Sequence, residues 1–432
     1  MKCIQCDTDN NLKDRTANSG RCKNCQHAFV FEPTSMPEKL TDRSFANLLT
    51  TLTAQDSLFF TSRQLAYVLS RRSQRSDIPG FVVLYLLGCV PTIFLSFPVF
   101  SLLSSVLEIP SRWIIWLILL FLWSCIYIRF LWRRSQSIPV SRRDRRSSAR
   151  SLQIIGAALL LVPAGVVLIG GIPLLEMVGF AGLGLGAIGL GRRQLRRQAQ
   201  LPQELLVSEQ SVEGWLAKWQ SINGPTKQLQ PVLQSSADLA PDITNYSFDR
   251  LVVCDRSVIA KLLIANNFHF ENNCAVLSIT GYPRHLFDTV MTMVRRNPDL
   301  QVYVIHDCTP RGLQVVHQLK TSEQWFRDQP VAIVDLGLLP RQIFQLKDAF
   351  VLQANQSARA AQQLPADVRQ SLSVQELQWL ETGFFVELES FTPQRLIQVL
   401  NRGIAGSRDL VSDSSDLILI GDSNIYASDS FG

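Results

Sequence analysis

The spacing of apolar and charged positions divides the chain into regions of different character. Residues 80–107 hold no charged side chain, 113–132 hold only Arg129, and 151–191 hold only Glu176. About 20 apolar helical residues cross a bilayer core. The pattern therefore predicts four transmembrane helices at about 80–105, 113–132, 152–170 and 172–191, the last two parted by Gly170-Gly171-Ile172-Pro173. Past residue 248 short apolar runs alternate with amphipathic ones. Segments 250–255, 274–281, 301–307 and 330–335 read as strands, with helices after Ser257, Arg284 and Gly312. Such alternation predicts a parallel sheet with right-handed crossovers, whose ligands sit beyond the carboxyl ends of the strands. Further on, SVQELQWLETG and TPQRLIQVLNRG read as helices, the second capped by Thr392-Pro393 and stopped by Gly403.

Composition and charge sharpen this picture. Apolar residues make up 47% and charged residues only 18%, below the ~25% of soluble domains. Disordered, collagen-like and disulfide-scaffold chains are excluded, and a simple soluble enzyme is not expected. The net charge of +6 comes from 71–76, 133–150 and 192–197, which carry 14 Lys/Arg against one acid, Asp144. Residues 201–432 are acidic, with 18 basic and 25 acidic side chains. The basic stretches flank the apolar runs, while the alternate loops carry only Glu108, Arg112 and Glu176. The positive-inside rule then gives an integral membrane protein with four spans and both termini cytoplasmic, in a bacterial inner membrane, with the lipid bilayer as a partner. Gly182 and Gly186 form a G-x-x-x-G expected to pack helices.

Cys3-Ile4-Gln5-Cys6 and Cys22-Lys23-Asn24-Cys25 match the C-x2-C…C-x2-C spacing of a tetrathiolate zinc site. The segment resembles a zinc ribbon over about 30 residues. Cys3, Cys6, Cys22 and Cys25 are the expected ligands of a structural zinc. Phe29 and Phe31 are expected to pack over the site, and the near-neutral surface points to a protein partner. Ser62 reads as the N-cap of RQLAYVLSRR, and Trp215 and Trp219 lie one turn apart on a helix within 211–222.

The segments LVVCDRSVIAKLL, CAVLSITGYP, VYVIHDCTPRGLQVV and VDLGLLP, in that order across 250–350, resemble the Toprim domain of the topoisomerase VI A subunit. The resemblance implies a magnesium site of three acids used in DNA strand cleavage: a Glu ending the first strand and a D-x-D after the third. Here those positions hold Cys254 and Asp307-Cys308-Thr309, so only Asp307 is kept. Asp255 and Asp335, at neighbouring strand ends, are the candidates for rebuilding a site with Asp307. Cys254, His306 and Cys308 are a weaker alternative, as soft ligands. Magnesium prefers carboxylate oxygen, so the reading leans against an enzyme.

The expected organisation is multi-domain. A zinc ribbon occupies 1–35, a helical juxtamembrane segment 36–78 and a four-helix transmembrane region 79–191. A linker and helix at 192–248 lead into a Toprim-like α/β domain at 249–350, a helical extension at 351–405 and a disordered acidic tail at 406–432. The expected function is a membrane-anchored binding, scaffold or regulatory module that contacts a protein through the ribbon or the Toprim-like domain. The alternative is a membrane-tethered, metal-dependent nuclease or phosphotransfer enzyme. Nucleic-acid binding is not favoured, because the region after the apolar runs is net acidic.

Overall fold

The computed structural model describes residues 1–36, 38–73, 82–91, 94, 112–136, 142–168, 174–197, 202–229, 248–297, 300–327, 329, 331–346 and 349–406. The chain forms two compact units. One comprises Met1–Ser73 with Glu204–Gly432, and the other is Gln74–Gln203. The second is thus an insertion in the sequence of the first.

The first unit begins with helices α1 (Leu12–Ala17), α2 (Asp42–Leu52) and α3 (Ser62–Ser73). Asn11 and Asp14 cap α1 reciprocally, and Thr41 and Ser44 do so for α2. Thr61, rather than Ser62, caps α3, since the Gln64 N–H donates to its hydroxyl at 3.1 Å. In the inserted unit lie α4 (Arg112–Gln136), α5 (Arg142–Leu168) and α6 (Leu174–Arg197), with a helical run at 82–91.

The expectation of four transmembrane helices, and with it the integral-membrane, inner-membrane assignment, is corrected here. Among the described residues, no helix is long and apolar enough to cross a membrane. Each of these helices also carries charged side chains: Arg129, Arg133 and Arg134 in α4, RRDRRSSAR in the first turns of α5, and Glu176 with a basic last turn in α6. Most of the predicted span 80–105, and the 169–173 break, lie outside the described residues.

The glycines of α6 still pack helices, but not the pair singled out above. A Cβ on Gly184 would stand 2.7 Å from the Gly156 carbonyl oxygen of α5, and one on Gly191 would stand 2.8 Å from that of Ala149. Gly182 and Gly186 face open space. Tyr85, Tyr127, Leu131, Leu152, Ile155 and Phe180 fill the core of this unit.

Back in the first unit, α7 (Glu209–Asn223) packs with α2 and α3 around Phe31, Phe45, Phe60, Leu65, Leu216 and Trp219. Phe31 therefore packs into this helical core, with Trp219 stacked 6.3 Å from its ring. The segments on either side of the insertion so form one layer, to which the ribbon is fixed. Buried Asp42 accepts the Val30 and Phe31 N–H groups at 3.0 Å each, and Lys218 of α7 donates to the Val30 carbonyl at 2.7 Å.

The α/β part has strands β1 (Arg250–Cys254), β2 (Cys274–Ser278), β3 (Gln301–Ile305) and β4 (Ile333–Asp335), all parallel, in the order β2-β1-β3-β4. Helices α8 (Ser257–Ala265), α9 (Phe268–Glu271) and α10 (Arg284–Arg296) make the first two connections. One face buries Val252, Cys254, Tyr303 and Ile305, and the other Leu251, Val253, Val302 and Val304. This is the two-sided burial that continuous apolar strands encode. Shorter helices α11 (Pro310–Leu313), α12 (Val315–Thr321), α13 (Pro340–Gln345), α14 (Asn355–Gln362), α15 (Ala366–Gln370) and α16 (Val374–Glu381) follow, and α17 (Pro393–Gly406) closes the fold. Strands Leu352–Gln353 and Phe384–Phe385 form a small antiparallel pair. The acidic tail, 407–432, lies outside the described residues.

Candidate functional sites

The two C-x2-C segments fold into near-identical turns. Asp7 N–H donates to the Cys3 carbonyl and Cys3 N–H to that of Thr8, both at 3.0 Å. Gln26 N–H and Cys22 N–H repeat this with Cys22 and His27, at 3.0 and 2.9 Å. The residue after each second cysteine, Asp7 or Gln26, takes φ of 54° or 59°, which reverses the chain so that both thiols point inward. The four sulfurs lie within 4.8 Å of one another, with Cys3–Cys25 and Cys6–Cys22 each at 3.6 Å. A tetrahedron with metal–sulfur bonds of ~2.3 Å has edges of ~3.8 Å. The residues fit a single metal ion, consistent with structural zinc.

The cluster's electrostatics point the same way. The Thr8 hydroxyl and backbone lower the Cys6 thiol to about 6. Cys25 is pushed up to about 12, because burial and its three thiol neighbours outweigh the backbone hydrogen bond at His27. Four thiols this close cannot all ionise without a cation to bind them. Asn10, wholly buried, ties the two turns together. Its Nδ2 donates to the Thr8 carbonyl and lies 3.4 Å from Cys22 Sγ, while its Oδ1 accepts the Lys23 N–H at 2.9 Å. Sequence reasoning missed Asn10, since nothing about an Asn four residues past Cys6 marks it. His27 is no ligand in this group.

The second candidate lies at the carboxyl ends of the strands. Asp255 follows β1, and its Oδ2 accepts the Asp307 N–H at 2.9 Å. Asp307, buried after β3, forms an ion pair with Arg256, whose Nη2 donates to Asp307 Oδ1 at 3.3 Å, and accepts the Leu388 N–H at 2.6 Å. Arg256 also donates to Glu389 at 2.7 Å, and Glu389 accepts from Thr61 at 2.6 Å. Beside them Arg63 of α3 forks onto Glu387, which also accepts the Tyr67 hydroxyl at 2.7 Å. Four carboxylates and two guanidiniums thus join the helical layer to the sheet. Burial, and then the Asp255 charge, raises Asp307 well above the carboxylate range despite Arg256. Burial raises Asp255 likewise. Glu387 is held low by Arg63 even though burial opposes this.

Asp335 goes elsewhere. It pairs with buried His306, Nε2 to Oδ1 at 3.1 Å, while His306 Nδ1 donates to the Asp307 carbonyl at 2.8 Å. With both ring nitrogens donating, the imidazolium is the form this site fits. Asp335 and the backbone contact raise it to about 9 against the desolvation that would lower it. The structure therefore does not bring Asp255, Asp307 and Asp335 together into one group of candidate ligands, nor Cys254, His306 and Cys308. Among the described residues, the four N-terminal cysteines are the one group of three or more candidate ligands close enough to hold an ion. Gly312 lets α11 close over this region, since a Cβ there would stand 2.2 Å from the Asp307 carbonyl oxygen. Sequence reasoning also missed Arg256, Glu387, Glu389 and Arg63. Arg256 adjoins a candidate acid, but Glu389 lies 133 positions from Arg256, and Arg63 lies 324 positions from Glu387.

No protein-family model and no curated protein matches the chain. The identification of 250–350 with a topoisomerase VI A-like Toprim domain accordingly finds no support. What stands is a four-stranded parallel sheet with helices, and a four-cysteine cluster near the N-terminus.

Proposed function

We propose that the protein is a binding module rather than a metal-dependent nuclease. Its ribbon holds a structural zinc, and it contacts a protein partner through the ribbon or the α/β part. Zinc is favoured over harder ions because all four ligands are thiols in a closed tetrahedral set. A closed set stabilises the fold and leaves no position for substrate.

The observation that carries the non-catalytic reading is the place of Arg256. Its guanidinium sits against both Asp307 and Glu389, where a cleavage enzyme would need a divalent ion. A magnesium ion there would have to displace a cation already paired with its ligands. One observation favours the competing reading, a nuclease or phosphotransfer enzyme: the buried Asp255 Oδ1 has no hydrogen-bond partner. The test is nicking of supercoiled DNA and of RNA by the full chain with magnesium or manganese. No cutting above a metal-free control is expected. Cutting that Asp255→Asn abolishes would establish the enzyme.

A further inference from the structure

Among the described residues β2 is an edge of the sheet, and its outer side lies in an apolar groove. Ile264, His269 and Phe270 form one wall, and Leu286, Val290 and Met293 of α10 the other. Phe270 is 47% exposed and Met293 37%, so two large apolar side chains face solvent on opposite rims of one groove. In a parallel ladder a residue's N–H and C=O point to one side, and alternate residues point to opposite sides. Ile279 N–H donates to the Cys254 carbonyl, and Asp249 N–H to that of Asn273. Ala275 and Leu277, in step with these, therefore also turn their backbone groups toward β1. Those of Cys274 and Val276 face outward, at the bottom of the groove, where both residues are buried. Ser278, next in that series, gives its N–H to the Tyr282 carbonyl. Among the described residues no strand pairs with the outward groups of Cys274 and Val276. The wall adds one more polar atom, Nδ1 of buried His269, which has no hydrogen-bond partner.

We propose that this groove receives an extended segment of a partner protein, an apolar run with acidic flanks that pairs with β2 as a fifth strand. The inference rests on the reading of the protein as a protein-binding module and gives that module its site. Three observations select this occupant. The first is hydrogen bonding. A purely apolar ligand would fill the walls but leave the backbone groups of Cys274 and Val276 unpaired, and buried backbone N–H and C=O groups are rarely left so. An added strand brings a donor and an acceptor at every second residue.

The second is the pair of walls. Both faces of an inserted strand would meet apolar side chains, which calls for a continuous apolar run rather than an alternating one. The third is charge. Helix α10 carries exposed Arg284, Arg295 and Arg296 against one exposed acid, Asp288. Arg296 stands three residues past Met293, on the same side of the helix, and so at the rim. This balance attracts acidic flanks. It also disfavours a second copy as occupant, because antiparallel two-fold pairing of two β2 edges would set α10 beside its own copy.

The test is selection from a random-peptide display library on the full, zinc-loaded chain, followed by titration of one enriched peptide carrying a fluorophore. Enriched peptides should share an apolar run with Asp or Glu on its flanks. Phe270→Asp and Met293→Asp, both at exposed positions, should each weaken binding at least tenfold. Proline at the centre of the apolar run should do the same, because it removes a ladder donor. Bound peptide should slow exchange of the Val276 amide at least tenfold and leave β3 amides unchanged. No enrichment, or binding that survives both groove variants, would overturn the proposal. Binding that survives both variants but is lost on chelation would place the partner at the ribbon, overturning the groove while leaving the binding reading intact. Protection of Val276 in the free chain that falls on dilution would assign the groove to a second copy and overturn the proposal as well. The nicking assay tests the binding reading separately.

Discussion

Arg256 holds two buried acids with one side chain, so its removal leaves Asp307 and Glu389 without their cation. Breaking a buried pair from one side costs about 3–5 kcal/mol. Because Arg256 is partly exposed, the lower end applies, and Arg256→Ala should lower stability by about 3 kcal/mol in denaturant unfolding. Asp307 also caps the Leu388 amide, which makes it a structural residue rather than a spare acid. The His306–Asp335 pair has its own pH signature. His306 is raised in the folded protein to about 9 from an ordinary 6.5. Its contribution is therefore complete below about 6.5 and lost as pH rises through about 9. Asp335 is partly exposed, so water screening limits the effect to about 2 kcal/mol. The raised Asp255 and Asp307 act in the same sense. Unfolding followed from pH 6 to 10 should show falling stability, and His306→Gln should flatten that limb.

Helix seams and strands show what sequence periodicity can and cannot place. The four strands, their parallel direction and the helices at 374–381 and 393–406 follow from apolar alternation and from the Thr392-Pro393 start of the last helix. The glycine seam did not follow. G-x-x-x-G spacing selects Gly182 and Gly186, but the face that α6 turns to α5 carries Gly184 and Gly191. In a segment with glycine at nearly every second position, spacing alone fits both faces. The two faces should respond oppositely to a methyl group. Gly184→Ala must push apart two backbones and should cost about 1–3 kcal/mol. Gly186→Ala meets open space and should be neutral or stabilising by up to about 1 kcal/mol. Exchange rates of the α5 and α6 amides measure both.

At the scale of the whole molecule, distant segments meet where no local pattern foretells it. The cysteine spacing made the metal site legible, because four ligands in two tight turns are encoded locally. The charge network was not legible, because Thr61 and Arg63 reach Glu389 and Glu387 across more than 300 positions. The apolar runs were legible as helices but not in their extent, because charged turns continue the same helices. The ribbon's attachment through Asp42 and Phe31 has a consequence for metal removal. Chelation should speed exchange not only in 1–32 but also in α2 and α7, leaving β1 and β3 protected. Asn10→Ala, which unties the two cysteine turns, should weaken metal binding by about 10–100-fold, read by competition with a chromogenic chelator.

The central claim is that the strand-end acids serve the fold, with Arg256 in the place of a divalent ion. Calorimetric titration of magnesium into the full, zinc-loaded chain addresses it directly. The account predicts no saturable heat at millimolar magnesium, and no difference between the unaltered chain and Asp255→Asn. Stoichiometric binding of one magnesium ion, lost in Asp255→Asn while the fold is retained, would contradict it.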